Sequence, residues 1–203
     1  MTSSYKVVLF DVDGVLIIPP KLFSQQYCEK YGVDPTQQER FYATKEFRDA
    51  SVGKFDLKEA IKLHNDMWRW SGKPEDLMQL WFEGENYPNE ELLGIASQLR
   101  SKGVAVYLAT QQEKYRAAYL TDVVFKDKID GMFCSCNIGF GKHEDRFWGA
   151  VIRQLKEQYS DIKPSEVAYF DDRQSLVDKA KEFGIDAFLY QNADGARALL
   201  ASQ

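Results

Sequence analysis

The sequence contains no long run of apolar residues and no run of lysines or arginines. No stretch reaches the roughly 18 consecutive apolar residues that a transmembrane helix requires. Nucleic acids and anionic membranes are bound through basic patches, so a net charge of −5 without clustered cations argues against both as main partners. The apolar run near the start is stopped by Asp11, too early for a secretory signal. We therefore expect a cytoplasmic protein.

Cysteine and histidine are also scarce, with three cysteines and two histidines among 203 residues. Cys28, Cys134 and Cys136 cannot all pair, and buried free thiols in a reducing cytoplasm are favoured over a metal or redox site. His64 and His143 are too few for a multi-histidine zinc site. Each is interpreted as a structural or loop residue in preference to a ligand. Any chemistry must therefore depend on carboxylates, hydroxyls and lysine.

A buried strand that ends in two carboxylates is the most informative feature of the sequence. The segment Tyr5–Phe10 is rich in Val, Leu and Phe and predicts a buried strand, and Asp11-Val12-Asp13-Gly14-Val15 follows it. In extended backbone, Asp11 and Asp13 project to the same side, about 6–7 Å apart. Paired carboxylates at a strand end suit a hard cation such as Mg²⁺, which in turn suits phosphate. The same residues also occur in ordinary turns, so this motif by itself leaves a structural role open.

From Asn89 onward, helix-like and strand-like segments alternate. This alternation predicts an α/β fold with a Rossmann-like parallel sheet in a three-layer α/β/α core. An all-helical block at residues 16–86 interrupts the pattern and predicts an inserted cap domain, which leaves 1–15 and 87–203 as the core. The later strands are predicted at Val104–Ala109, Met132–Cys136, Val167–Phe170 and Ala187–Tyr190. Helices are predicted at Pro20–Lys30, Pro35–Asp49, Asp56–Trp70, Pro74–Glu85, Asn89–Ser101, Gln112–Val124 and Glu144–Tyr159, with one more ending at Phe183.

Polar residues with distinct chemical capacities follow the predicted strands. Because ligands bind at the carboxyl ends of parallel strands, these residues are expected to share one site. A carboxylate can attack phosphorus in line, acidic groups can hold a metal, and a hydroxyl and an ammonium can bind the phosphoryl oxygens. The residues are Asp11 and Asp13 after the first strand, Thr110 after the second, Lys142 beyond the third, and Asp171 with Asp172 after the fourth.

In order and spacing, these four motifs resemble those of the haloacid dehalogenase-like hydrolases, in the branch with a helical cap between the first and second motifs. The resemblance covers essentially the whole chain. It implies that Asp11 is the nucleophile and a magnesium ligand. It also implies that Asp13 is first the general acid and then the general base, with its backbone carbonyl on the metal.

The remaining motifs have roles implied by the same resemblance. Thr110 and Lys142 would bind phosphoryl oxygens, and Gln111 would contribute its backbone N–H. Asp172 would ligate the metal directly, and Asp171 would act beside it or through a water.

Two residues depart from the family's common pattern. Gln111 stands where asparagine is common, and His143 stands where proline is common. Neither change removes a charge that the mechanism requires. A third common feature, an acid four residues after the metal ligand, is absent because Leu176 occupies that position. The adjacent pair Asp171 and Asp172 therefore has to supply both charges.

The resemblance implies a magnesium-dependent phosphatase that acts on a small phosphorylated metabolite such as a sugar phosphate. Dehalogenases of the family lack the second aspartate, because displacing halide needs no proton for the leaving group, so Asp13 favours phosphate esters. A phosphomutase of the β-phosphoglucomutase type and a non-catalytic ligand-binding member of the fold stay open as alternatives. A monomer or weak homodimer is expected. The residues of the cap considered as substrate contacts are Lys45, Arg48, Lys54, Trp68, Trp70 and Trp81.

Overall fold

The computed structural model describes residues 5–201. Five parallel strands form one sheet in the order β3-β2-β1-β4-β5. β1 pairs with both β2 and β4, so the loop that follows β1 is flanked by the loops that follow its two neighbours. The predicted Rossmann-like parallel sheet is therefore confirmed. The strands are β1 (Val7–Phe10), β2 (Ala105–Thr110), β3 (Gly131–Cys134), β4 (Val167–Asp171) and β5 (Asp186–Leu189).

The chain after β1 is helical and has an apolar core of its own. Phe41 and Trp68 are fully buried in that core, and Trp81 is 8% exposed, so these two tryptophans pack an interior. The division into core and cap stays a prediction, and the helices between Phe23 and Gly84 are called the helical segment below. They are α1 (Phe23–Tyr31), α2 (Pro35–Tyr42), α3 (Lys45–Ser51), α4 (Leu57–Leu63), α5 (Asn65–Trp68) and α6 (Pro74–Gly84).

Helices cover both faces of the sheet because successive strand residues point to opposite sides. In β1, Val8 and Phe10 join one apolar cluster, whereas Val7 and Leu9 join the other. The first cluster is closed by α7 (Glu90–Ser101) and α12 (Ala193–Ala201), and the second by α10 (Asp145–Gln158) and α11 (Gln174–Lys181). Within residues 5–201, the other α-helices that follow β2 are α8 (Lys114–Tyr119) and α9 (Ser135–Ile138).

Two predicted helices of the helical segment are each broken into two. The predicted helix Pro35–Asp49 is interrupted because the side chain of Thr44 accepts a hydrogen bond from the backbone N–H of Phe47 and thereby starts α3. The predicted helix Asp56–Trp70 is interrupted at His64, whose φ and ψ of −115° and 31° are not helical. The apolar residues continue at helical spacing through both breaks, so the sequence pattern did not indicate where the backbone leaves the helix.

Three predictions for the core also need correction. The helix predicted over Gln112–Val124 is α8 followed by a π-helical turn, closed by a hydrogen bond from the Phe125 N–H to the Leu120 carbonyl. The strand predicted over Met132–Cys136 ends at Cys134, because Ser135 begins α9. Helix α12, at the end of the described chain, was not predicted, although Asn192 accepts a hydrogen bond from the N–H of Gly195 as a helix-starting residue does.

The cysteines and His64 take the places expected of structural residues. Cys28 and Cys134 are buried free thiols, and Cys136 is a half-buried one. His64 is half-buried and its Nε2 lies 3.1 Å from a carboxylate oxygen of Glu46. No helix within residues 5–201 has the length and apolar character needed to cross a membrane.

Candidate active site

The residues that follow β1 and β2 line one cavity at the carboxyl edge of the sheet. Asp11 is 3% exposed, whereas 57% of the Asp13 side chain is exposed. Thr110, the last residue of β2, is buried. The cavity has a volume of about 430 Å³. It is lined by Asp11, Asp13, Gly14, Leu22, Thr110, Gln111, Asp172 and Arg173.

The pairing of β1 with β4 explains how Asp11 meets the fourth motif. The backbone N–H of Asp11 donates to the carbonyl of Phe170 at 2.9 Å, so the pairing of the two strands continues one residue beyond β1. Asp171 and Asp172 therefore emerge beside Asp11, although they lie far away in the sequence. The structure brings together all the residues that the sequence assigned to one site.

Lys142 lies at the centre of the buried charges. Its side chain is fully buried, and its Nζ lies 2.6 Å from an oxygen of Asp11 and 2.8 Å from an oxygen of Asp171. Nζ also donates to the Tyr169 hydroxyl at 3.2 Å, and that hydroxyl donates to Asp171. Two buried carboxylates are thus held by a single ammonium group.

The pKa values of the three carboxylates follow from burial and from this shared cation. Burial raises the pKa of Asp11 to about 6, while the Lys142 ammonium opposes the rise. Burial also acts to raise the pKa of Asp171, but Lys142 and the hydroxyl of Tyr169 outweigh it and hold that pKa below its ordinary value. For Asp172, burial and the charge of Asp171 raise the pKa. Three carboxylates face the buried ammonium of Lys142 and the exposed guanidinium of Arg173, whose Nε lies 3.9 Å from Asp171 Oδ1, so the negative charge is in excess and an additional cation would be stabilised here.

Three carboxylates are close enough together to hold a metal ion. One oxygen from each of Asp11, Asp171 and Asp172 lies within 4.8 Å of the others. Both oxygens of Asp171 already accept hydrogen bonds, one from Lys142 and Tyr169 and the other from the backbone N–H of Arg173. Asp172 is exposed and therefore more available as a direct ligand. This set of hard oxygen donors fits Mg²⁺.

Gly14 leaves no room for a side chain beside this cluster. Its φ is 80°, and a Cβ atom there would lie 2.2 Å from a carboxylate oxygen of Asp172. We therefore expect Gly14→Ala to displace Asp172, to weaken Mg²⁺ binding at least tenfold, and to lower the free energy of unfolding by more than about 1 kcal/mol. Titration calorimetry with Mg²⁺ and urea unfolding measure the two effects.

Gly94 provides the matched control for this substitution. It lies exposed within α7, and a Cβ atom there would meet nothing within 4 Å. Gly94→Ala is expected to stabilise the protein by about 0.5–1 kcal/mol and to leave Mg²⁺ binding unchanged. Wild-type Mg²⁺ affinity in Gly14→Ala would contradict the close approach of Gly14 and Asp172.

Asp13 has partners that the sequence analysis missed. Arg116 Nη2 lies 2.8 Å from Asp13 Oδ1, and Gln112 Nε2 donates to Asp13 Oδ2 at 2.7 Å. Gln112 Nε2 also lies 3.4 Å from the hydroxyl of Thr110. Tyr169 belongs to the fourth motif as Tyr169-Phe170-Asp171-Asp172, but the sequence assigned no role to its hydroxyl, which contacts Lys142 and Asp171. The available signal was position: Gln112 and Arg116 follow β2 at the edge where the other site residues gather.

The departures from the common motif are accommodated without loss of charge. His143 is exposed next to the fully buried Lys142. Leu176 is buried in α11, so the adjacent acids Asp171 and Asp172 supply the carboxylates of the fourth motif. The backbone role of Gln111 stays a prediction, and its side chain lines the cavity.

A family model described as "Hydrolase: haloacid dehalogenase-like hydrolase" matches residues 5–184. A curated relative, bifunctional epoxide hydrolase 2 of Mus musculus, is 24% identical over 217 residues, which cover 94% of this chain and 37% of the relative. This chain therefore corresponds to little more than a third of that protein's length.

Solved structures share the same fold. A HAD family enzyme of Bacteroides thetaiotaomicron, in complex with magnesium and inorganic phosphate, is 21% identical with a TM-score of 0.75, and the match covers 92% of this chain and 94% of that one. A HAD phosphatase of Thermococcus onnurineus is 23% identical with a TM-score of 0.64, and the match covers 92% of this chain and 86% of that one. At these identities the structural likeness shows the fold.

Proposed function

Because the chain belongs to the haloacid dehalogenase-like hydrolases, we propose that it is a magnesium-dependent phosphatase acting on a small phosphorylated metabolite. The observation that carries this proposal is the cavity that Asp11 and Asp13 share. A nucleophilic carboxylate is sufficient for displacing halide, whereas the alkoxide of a phosphate ester must also receive a proton. Asp13 is placed to provide it.

The proposed reaction has two steps. A carboxylate oxygen of Asp11 forms a bond to phosphorus as the bond between phosphorus and the ester oxygen breaks, and Asp13 gives its proton to that leaving oxygen. Asp13 then accepts a proton from water, whose oxygen attacks phosphorus and releases inorganic phosphate with the Asp11 carboxylate restored. This sequence passes through an aspartyl-phosphate.

Lys142 and Thr110 would bind the phosphoryl oxygens during both steps. Lys142 contacts Asp11 directly, so its ammonium lies next to the carboxylate that would attack. Bound Mg²⁺, held by Asp11, Asp172, the backbone carbonyl of Asp13 and, directly or through water, Asp171, would neutralise phosphate charge. Burial of Asp11 keeps its carboxylate poorly hydrated, which favours its use as a nucleophile.

The dimensions of the cavity support a small substrate. Its volume of about 430 Å³ lies in the lower part of the range for small-molecule sites. Leu22, which lines it, immediately precedes α1, so the cavity wall includes the residue that leads into the helical segment. We propose that this segment acts as a cap that excludes water and large substrates, in a protein that works as a monomer or weak homodimer in the cytoplasm.

A panel of phosphate esters, assayed with Mg²⁺ and with excess EDTA, tests the proposal. We expect release of inorganic phosphate from at least one small sugar or polyol phosphate, and loss of more than 95% of it in EDTA, as an essential metal ion requires. Conversion of a hexose 1-phosphate into its isomer without release of phosphate would replace the phosphatase by a phosphomutase. Ligand binding without turnover across the panel would favour a non-catalytic protein and overturn the proposal.

A further inference from the structure

Arg116 is a buried cation that joins two carboxylates from different parts of the fold. It lies in α8, and its side chain is 5% exposed. Nη2 lies 2.8 Å from Asp13 Oδ1, and Nη1 lies 3.0 Å from Glu85 Oε2. The guanidinium carbon is 6.0 Å from the centre of the Phe82 ring. A planar guanidinium presents its donors in a rigid fork, so it fixes the directions of both carboxylates, whereas the donors of a lysine ammonium rotate.

Both oxygens of Asp13 are oriented by these contacts. Oδ1 accepts from Arg116 and Oδ2 accepts from Gln112 at 2.7 Å. Each carboxylate oxygen has a second lone-pair site, so these bonds orient the group and leave it able to exchange a proton. The side chain is nevertheless 57% exposed and lines the cavity. An exposed side chain without such partners would sample several rotamers.

Glu85 holds Arg116 at the place where the first and last helices of the helical segment, α1 and α6, come together. It directly follows α6, and its side chain is 13% exposed. Besides Arg116, it accepts hydrogen bonds from the backbone N–H of Phe23, the first residue of α1, and from Trp81 Nε1, both at 3.0 Å. One carboxylate thus holds together the two ends of the helical segment and the guanidinium that orients Asp13.

We infer that Arg116 is a positioning residue that fixes the Asp13 carboxylate towards the leaving oxygen and is itself fixed by Glu85. The inference rests on the proposed phosphatase function, because it assigns Asp13 the proton transfer. It extends that function by linking the orientation of the acid to the base of the helical segment. Arg116 touches neither metal nor phosphate in this scheme and acts through Asp13.

Comparing two leaving groups distinguishes a loss of Asp13 positioning, which affects only a leaving group that needs a proton, from a general loss of structure, which affects both. Glycerol 2-phosphate releases an alkoxide that needs a proton, whereas 4-nitrophenyl phosphate releases a phenolate that is stable without one. The ratio kcat/KM covers the steps up to departure of the leaving group, so it reports the first proton transfer. We expect Arg116→Met to lower kcat/KM about 10–100-fold for the alkyl ester but at most about threefold for the aryl ester, since general acid catalysis contributes about 10²–10⁴-fold.

Companion variants complete the experiment. Asp13→Asn should lower kcat/KM for the alkyl ester selectively and by a larger factor than Arg116→Met does. Arg116→Lys should keep part of the activity on the alkyl ester that Arg116→Met loses. Because Arg116→Met leaves Glu85 buried without its cation and can fail to fold, the double variant Arg116→Met/Glu85→Gln removes both charges and should keep the selective loss. Arg153→Met, at an exposed arginine of α10, is the matched control and should leave kcat/KM unchanged for both esters.

The outcomes distinguish this inference from the proposed function. Suppose that the wild-type protein hydrolyses both esters and that Asp13→Asn lowers kcat/KM selectively for the alkyl ester. If the Arg116 variants then lower kcat/KM equally for both esters, or for neither, the positioning role is wrong and the phosphatase stands. If the wild-type protein hydrolyses neither ester nor any other phosphate ester, the proposed function fails first.

Discussion

Asp11→Asn is expected to abolish turnover while the protein stays folded. Asparagine has the shape of aspartate but cannot form the acyl-phosphate bond, so we expect kcat to fall by more than about 10⁴-fold. We expect the site to tolerate the change because burial raises the pKa of Asp11 to about 6 and so disfavours its charge, while Lys142 keeps the Asp171 carboxylate as a partner. The midpoint of thermal unfolding should therefore be equal to or higher than that of the wild-type protein. Phosphate release and calorimetric unfolding measure the two quantities.

Asp178→Asn serves as the control for this substitution. Asp178 lies on the exposed face of α11, where it accepts a hydrogen bond from Gln174, and its replacement should leave turnover unchanged. Activity of Asp11→Asn within about tenfold of wild type, which is about 1.4 kcal/mol of activation barrier, would show that Asp11 is not the nucleophile.

Lys142→Met is expected to reduce both stability and activity. The Lys142 ammonium is fully buried between Asp11 and Asp171, so methionine would leave two buried carboxylates without their cation. Removing one partner of a buried ion pair destabilises proteins by about 3–5 kcal/mol, and we expect a loss of that size in urea unfolding without divalent ions. Turnover should also fall by more than about 10²-fold, because the phosphoryl oxygens lose a positive charge.

Mg²⁺ provides a second test of Lys142. Because the same carboxylates are expected to bind the metal, saturating Mg²⁺ should raise the unfolding midpoint of Lys142→Met more than that of the wild-type protein. Lys156→Met, at an exposed position of α10, is the control and should change stability by less than about 0.5 kcal/mol. A loss below about 1 kcal/mol in Lys142→Met would contradict the buried charge cluster.

The residues of the predicted site could be found from the sequence because each one is tied to the end of a strand. The apolar strand before Asp11 and the one before Asp171 are short and uninterrupted, and parallel pairing brings their ends to the same edge. Lys142 follows β3 after a short helix, so its approximate position followed from the same rule. Local pattern and one topological rule were sufficient for these residues.

The partners of Asp13 could not be predicted in this way. Arg116 reaches it across 103 positions of sequence, and Glu85 lies 31 positions before Arg116. Nothing in the spacing of α8 indicates which of its cations is buried, since Lys114 in the same helix is exposed and pairs with Asp56. Burial of a charge depends on what packs against it, and that is decided by tertiary structure.

Ser135 connects the helical segment to the loop after β2. Its hydroxyl donates to the carbonyl of Ser51 at 2.6 Å and accepts from the backbone N–H of Gln112 at 3.0 Å. Beside this contact, Gly53 lies against the carbonyl of Cys136, where a Cβ atom would be only 2.1 Å from the oxygen. If α3 moved away, the Ser135 hydroxyl would lose the Ser51 carbonyl and keep only the longer contact with the Gln112 carbonyl, at 3.4 Å, as an acceptor. Ser135 thus ties the end of α3 to the loop after β2, whose Gln112 side chain donates to Asp13.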